Sequence, residues 1–232
     1  RKAEKESNIE LLVKTATQET SIEQQVQIVD EMIHAGVDAI VIAPGDSKRL
    51  VPVLKKAQDA KIKIVNIDNR LDQESMKKSG MSTVPFISVD NEKAAYLSAK
   101  VIADQIKKPV QAAIFEGIRS ADNAQQRKNG ALRAFAENKN IRVVAQESAN
   151  WKIDEANTLA KTLFKEHPDI RLVFCANDMM AIGLMEFLRE SKNPPVLIAA
   201  FDALTEAKAA IVTGQMAATV DQQAAEQGYQ GI

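Results

Sequence analysis

The chain has 232 residues, of which 45% are apolar and 26% charged, with 30 Lys and Arg against 31 Asp and Glu. That make-up belongs to an ordinary globular protein with a proper core, neither disordered nor fibrous, and the balanced charge excludes the electrostatic footprint of a nucleic-acid or membrane-surface binder. The apolar runs fall far short of the roughly 20 residues a membrane span needs. The single cysteine, Cys175, can close no internal disulfide and lies in an apolar run, where a small buried thiol is expected.

The first residues, RKAEKESN, have the character of the polar end of a helix begun upstream, and the last, DQQAAEQGYQGI, of a helix entered but not finished. The chain is therefore expected to be cut at both ends. Between them, strand-like apolar runs alternate with helix-period segments, the signature of an α/β protein with mostly parallel sheets. In chain order the strands are IELLVKT from Ile9, VDAIVIA from Val37, KIKIVNI from Lys61, PFISV from Pro85 and VQAAIF from Val110. IRVVAQ follows from Ile141, then IRLVFCA from Ile170, PVLIAAF from Pro195 and MAATV from Met216. Helices fill the gaps; Ile22, Val26, Val29 and Ile33 recur at helical spacing and read as a core stripe. Residues 72–84 are polar, with neither clean helix nor strand character, and read as a loop leading to a crossover. PFISVDN then passes into a second α/β unit and MAATVDQQ returns, so two lobes are expected, residues 1–88 with 223–232 and residues 89–222, joined by a hinge of two or three strands.

Open α/β sheets bind ligands outside the carboxyl ends of their strands, and here those ends are loaded. They carry Asp46 and Ser47, then Asp68, Asn69 and Arg70, the loop from Glu116 through Gln125, Ser148 to Trp151, Asn177 with Asp178, Asp202, and Asp221 with Gln222. Helix capping accounts for Asp46 or Ser47 and for Asp178, but hardly for Asn69, Arg70, Trp151 and Gln222. Amides, carboxylates and a guanidinium suit a neutral polyhydroxylated ligand, whose hydroxyls both donate and accept, while the faces of Trp151 and Phe201 suit the apolar side of a sugar ring. No GxSxG, P-loop, GxGxxG or HExxH motif is present, so the chain is not expected to be an enzyme. The isolated His34 and His167 fall at helix ends, where a surface position is expected.

The stretches NIDNRLD, SVDN, RKNG within AQQRKNGALRAF, FCANDMMAIG, AAFDA and GQMAATVDQ resemble, in order, the landmarks of periplasmic sugar-binding proteins of ABC importers, in the ribose-binding branch. The resemblance covers nearly the whole chain. It implies two Rossmann-like lobes with parallel sheets joined by a hinge (the type 1 periplasmic binding protein fold) and a monosaccharide, sugar alcohol or similar solute clamped by hinge closure. Carried over by position, Asp68 and Asn69 face the ligand from the first lobe, Gln125, Trp151, Asn177, Phe201 and Asp202 from the second, and Gln222 sits at the crossing. Asp178 is assigned to capping its helix and Arg127 to a structural role. Asn69 and Gln125 stand where many ribose-type members have Arg, which turns the expectation from ribose itself towards a sugar alcohol, another sugar or a less usual solute. No cofactor or metal is implied. The implied partners are the sugar or polyol and a membrane ABC permease or membrane sensor, with no nucleic acid, for a monomer in the periplasm or lipid-anchored outside the cytoplasm. The same fold leaves open a sensor ectodomain of a membrane receptor or histidine kinase, and the effector-binding core of a lactose-repressor-like regulator.

Overall fold

The structure, a computed structural model, describes residues 2–191 and 193–232. Its elements run in order α1 (Lys2–Ser7), α2 (Ile22–His34), β1 (Ala39–Ile42), α3 (Val51–Asp59), β2 (Lys63–Ile67), α4 (Gln73–Lys78), β3 (Phe86–Ile87), α5 (Asn91–Ala103) and β4 (Val110–Glu116). They continue with α6 (Asp122–Ala136), β5 (Ile141–Ser148), α7 (Ile153–Glu166), β6 (Ile170–Cys175), α8 (Asp178–Glu190), β7 (Leu197–Ala199), α9 (Thr205–Val212) and α10 (Ala224–Gly231). The chain divides into two compact units. Unit 1 is Arg1–Val89 with Ser120–Asp122 and Gln223–Ile232, and unit 2 is Asp90–Arg119 with Asn123–Gln222.

In unit 1 three parallel strands lie in the order β1-β2-β3, with Ala39 paired to Lys63 and Asn66 to Phe86. α2 and α3 cover the sheet with their apolar stripes: Ile22, Val29, Leu50, Val51 and Leu54 pack with Ile40, Ile42 and Ile64, and Val26 and Ile33 complete the α2 stripe. α3 follows a turn fastened by Asp46, whose Oδ1 accepts the Lys48 and Arg49 amides at 2.7 and 2.8 Å.

Unit 2 holds four parallel strands in the order β5-β4-β6-β7. β4, buried from Ala112 to Glu116, and β6 read as continuous apolar runs because strands at the centre of a parallel sheet are covered on both faces. Phe115, Phe135, Phe174, Phe201, Ile102 and Leu172 form this core. α5 and α6 come close enough that a Cβ on Gly130 would stand 2.1 Å from the Glu92 carbonyl oxygen, so the crossing requires glycine there.

Four sequence expectations are corrected. IELLVKT is not a strand: a strand exists through its ladder partners, and residues 9–16 have no regular structure, with Leu12 and Val13 exposed at 50 and 74%. PFISV shortens to Phe86–Ile87. MAATV keeps one bridge, Ala218 to Ala199, within a string of backbone bonds from Ala217, Ala200 and Asp202. Residues 72–84, read as loop, contain α4, nucleated by Asp72, whose carboxylate accepts from the Ser75 amide at 2.8 Å and the Ser75 hydroxyl at 2.6 Å.

Candidate functional site

Leaving β4 the chain turns to β5 on one side; leaving β6 it turns to β7 on the other. The loops after β4 and β6 diverge there, which opens a crevice at the carboxyl end of an α/β sheet. Arg127, on the second turn of α6, fills it, 3% exposed. Its Nε donates to Asn91 Oδ1 at 2.9 Å, one NH group to the Ala176 carbonyl at 3.0 Å and to Asp202 Oδ1 at 3.4 Å, and the other to Gln222 Oε1 at 3.1 Å. Asn91 begins α5, so the close α5–α6 crossing at Gly130 and Glu92 is what brings the two side chains together. The guanidinium lies 3.8 Å over the centre of the buried Phe201 ring and 5.5 Å from that of Trp151, a geometry in which the negative ring faces favour the cation. Gln222 Nε2 donates to Asp202 Oδ1 at 2.8 Å, so its amide is oriented with oxygen towards the guanidinium and nitrogen towards the carboxylate.

Trp151 follows β5 in a turn where Asn150 and Trp151 have φ of 48° and 68°. Asn tolerates that left-handed region, whereas a bulky residue pays about 1–3 kcal/mol for it. Two contacts hold the turn: Asn177 Nδ2 donates to the Trp151 carbonyl at 3.3 Å, and the indole occupies the space over Gly117 in the loop after β4, where a Cβ would lie 2.0 Å from ring atoms.

Asn177, not Asp178, caps α8. Its Oδ1 accepts the Met180 amide at 2.9 Å, while the Asp178 carboxylate is buried and turned inwards, Oδ2 accepting from the Leu204 amide at 2.8 Å and Oδ1 from the Thr219 hydroxyl at 2.7 Å. The helix starts at Asp178, so the preceding residue has the extended backbone a cap requires. Burial holds the Asp178 carboxyl above the usual carboxylate range, against the lowering effect of those two donors. Burial, and then the Asp178 carboxylate, push the Cys175 thiol well up. Asp202 and Ala203 have φ of 116° and 56° with no glycine to relieve the turn. Gln125 is half-buried and donates from Nε2 to the Arg119 carbonyl at 2.8 Å.

In unit 1 Asp68, half-buried with φ 60°, ends β2. Asn69 is buried: its Nδ2 donates to the Pro44 carbonyl at 2.7 Å and its Oδ1 accepts the Ser47 hydroxyl at 3.3 Å, which ties the ends of β1 and β2. Arg70 is exposed, its guanidinium 4.1 Å over the Phe86 ring.

Trp151, Asn177, Phe201, Asp202 and Gln222 therefore meet in unit 2, whereas Gln125, two residues before Arg127 on α6 and so on another side of the helix, binds the Arg119 carbonyl, and Asp68 and Asn69 lie together at the end of β2. The structural role expected of Arg127 agrees with its bonds, all to protein groups, but its place at the centre of the network is not legible in the sequence, nor are the roles of Asn91, inside SVDN, and Thr219, inside GQMAATVDQ. Gly117 left no signal, because a glycine in a loop is equally a turn residue.

A family model described as periplasmic binding protein domain matches residues 1–232. The D-ribose/D-allose-binding protein of Pseudomonas aeruginosa is 39% identical over 224 residues, 96% of this chain and 70% of that protein. The D-allose-binding periplasmic protein of Escherichia coli is 31% identical over 216 residues, 92% of this chain and 70% of that protein. Among solved structures, an ABC-transporter solute-binding protein of Burkholderia multivorans, with an unknown ligand represented as α-D-erythrofuranose, superposes with a TM-score of 0.95 at 38% identity, covering 99% of this chain and 82% of that one. An ABC-transporter periplasmic solute-binding protein of Actinobacillus succinogenes with bound D-allose gives 0.89 at 37% identity, covering 99% and 80%. With a family match along its entire length and relatives of 31 and 39% identity over more than nine-tenths of it, this chain belongs to the periplasmic binding proteins.

Proposed function

We propose that the chain is the solute receptor of an ABC importer and that its ligand is a monosaccharide or sugar alcohol of the ribose and allose size, held by residues at the carboxyl ends of the strands. The observation that carries the reading is the Asp202–Gln222–Arg127 network beside the Trp151 and Phe201 rings. A carboxylate, an amide of fixed orientation and a guanidinium offer acceptors and donors in set directions, which suits hydroxyls that must do both, and the indole face suits the C–H side of the ring. Asp202, Gln222, Gln125 and Trp151 take the ligand in unit 2, with Asn177 and Phe201 completing the wall. Asn177 has a second amide proton beyond the one given to Trp151. Asp68 takes the ligand in unit 1, and Asn69 shapes the turn that presents it.

Ligand contacts stabilise the form of the receptor that a membrane permease recognises. The protein binds and releases without making or breaking bonds, as a monomer. Periplasmic binding proteins work outside the cytoplasm, and no helix among the described residues is long and apolar enough to cross a membrane. The named relatives are sugar-binding proteins and ABC-transporter receptors, which supports the importer over the repressor core or the sensor ectodomain.

The test is a thermal-shift screen with D-ribose, D-allose, other pentoses and hexoses, their alcohols and non-sugar controls. A ligand at 100 times its dissociation constant adds about 2.7 kcal/mol and raises Tm by about 5–10 °C for a chain of this size. Asp202→Asn, which keeps the shape and removes the charge, weakens binding by about tenfold to a hundredfold. No shift with any polyol, or full affinity in Asp202→Asn, would overturn the reading.

A further inference from the structure

The Asp202 carboxylate is presented by a turn that its own sequence disfavours. Asp202 and Ala203, neither of them glycine, both have positive φ, and such a conformation persists only where its surroundings over-determine it. The surroundings here converge on one buried side chain. Asp178 donates its backbone N–H to the Phe201 carbonyl at 2.8 Å, immediately before the turn. Its Oδ2 accepts the Leu204 amide at 2.8 Å, immediately after it. Its Oδ1 accepts the Thr219 hydroxyl at 2.7 Å, and Thr219 Oγ1 in turn accepts the Ala203 amide at 3.2 Å, in the middle of it. The Asp202 amide completes the frame by donating to the Val220 carbonyl at 2.8 Å, next to Thr219.

We infer that Asp178, working through Thr219, is a positioning residue that holds the strained Phe201–Leu204 turn so that Asp202 and Gln222 stand ready before any ligand arrives. The direction of the bonds supports this. A hydroxyl that accepts from Ala203 has one proton to give, and the carboxylate is the acceptor that takes it. A neutral amide at 178 could accept from Leu204 or from Thr219 but would turn an N–H towards the other. Helix capping does not require the carboxylate, since Asn177 performs it. The importance of Asp178 to sugar affinity rests on the receptor reading above; its hold on the turn does not.

The test uses the full chain and four variants: Thr219→Val, which keeps the shape and removes the hydroxyl, Thr219→Ser, which keeps the hydroxyl, Asp178→Asn, and Thr219→Val combined with Ala203→Gly. Amide hydrogen exchange at Asp202, Ala203 and Leu204 is followed without ligand, and dissociation constants are measured for D-ribose and D-allose. Thr219→Val and Asp178→Asn accelerate exchange at Ala203 and Leu204 by about tenfold and weaken sugar binding by a similar factor, as the loss of one buried hydrogen bond does. Thr219→Ser restores both. Ala203→Gly restores affinity in the Thr219→Val background because glycine tolerates positive φ without a clamp. Exchange unchanged in both Thr219→Val and Asp178→Asn overturns the inference whether or not a sugar binds. Affinity unchanged in a protein that does bind sugar overturns it as well. Accelerated exchange in a protein that binds neither sugar upholds the turn mechanism and counts against the receptor reading instead.

Discussion

Gly117 is the smallest residue of the site and determines where its largest can lie. The Trp151 indole rests where a Cβ at 117 would be, 2.0 Å from its Cη2 and Cζ2 atoms. Gly117→Ala therefore displaces the ring, costs about 1–3 kcal/mol as an overpacked contact does, and lowers sugar affinity. Trp151 is the sole tryptophan, so its emission in the ligand-free protein reports the displacement directly; an unchanged spectrum would mean that the loop yields instead. At this scale the sequence was legible in kind but not in assignment. It marked Asp178 as the cap of α8, a task that falls to Asn177, because the choice depends on whether the helix begins one residue earlier or later, which periodicity does not resolve. Arg127 was harder still. Its partners Asn91, Asp202 and Gln222 lie 36, 75 and 95 residues away, and no local pattern records contacts at that separation.

α4 shows the same limit among the elements. Its six residues, QESMKK, are too few to display a stripe, and the feature that starts the helix is the Asp72 cap. The Ser75 hydroxyl and amide hold the Asp72 carboxyl below its usual range, and the sign of the pH effect follows. A depressed folded pKa contributes stability that is fully present above the ordinary carboxylate pKa of about 3.9 and is lost as pH falls through the lower folded value. Asp72→Ala should cost about 1 kcal/mol near neutral pH, and its difference from the unaltered protein in urea denaturation should shrink towards zero in acid; a difference that persists there would mean that the cap acts through shape alone. The strands divide by their neighbours. β4 and β6 were legible because both of their faces are covered, so the apolar run itself identifies them. Residues 9–15 carry an equally strand-like pattern and form no strand, because a ladder is made by two strands and a local pattern describes one.

Each unit has its own core. The Leu50–Leu54 cluster serves unit 1, and the phenylalanines of β4, β6 and α6 serve unit 2. Cys175 in β6 makes the second one measurable. Its thiol is buried and pushed well up by burial and by the Asp178 carboxylate, so a thiol reagent reaches it only when unit 2 opens. Phe174→Ala should remove about 3–5 kcal/mol from that core and raise the labelling rate under native conditions at least a hundredfold by the same arithmetic; rapid labelling of the unaltered protein would contradict the burial of β6.

What the sequence determined by itself was the class of fold, the place in the chain of β1 to β7 and the ends at which polar groups gather. Alternation of apolar runs with helical stripes is a local property, and a strand's carboxyl end is adjacent in sequence to the residues it presents. The tertiary structure alone decided the rest: the absence of a strand over residues 9–15, the capping of α8 by Asn177 instead of Asp178, the placing of Arg127 beside two aromatic rings, and the clamp by which Asp178 and Thr219 hold Asp202. The reason is the same in each case. These are choices among hydrogen-bond partners far apart in the chain, and a polar side chain taken out of water is committed by which donors and acceptors the fold brings within about 3 Å.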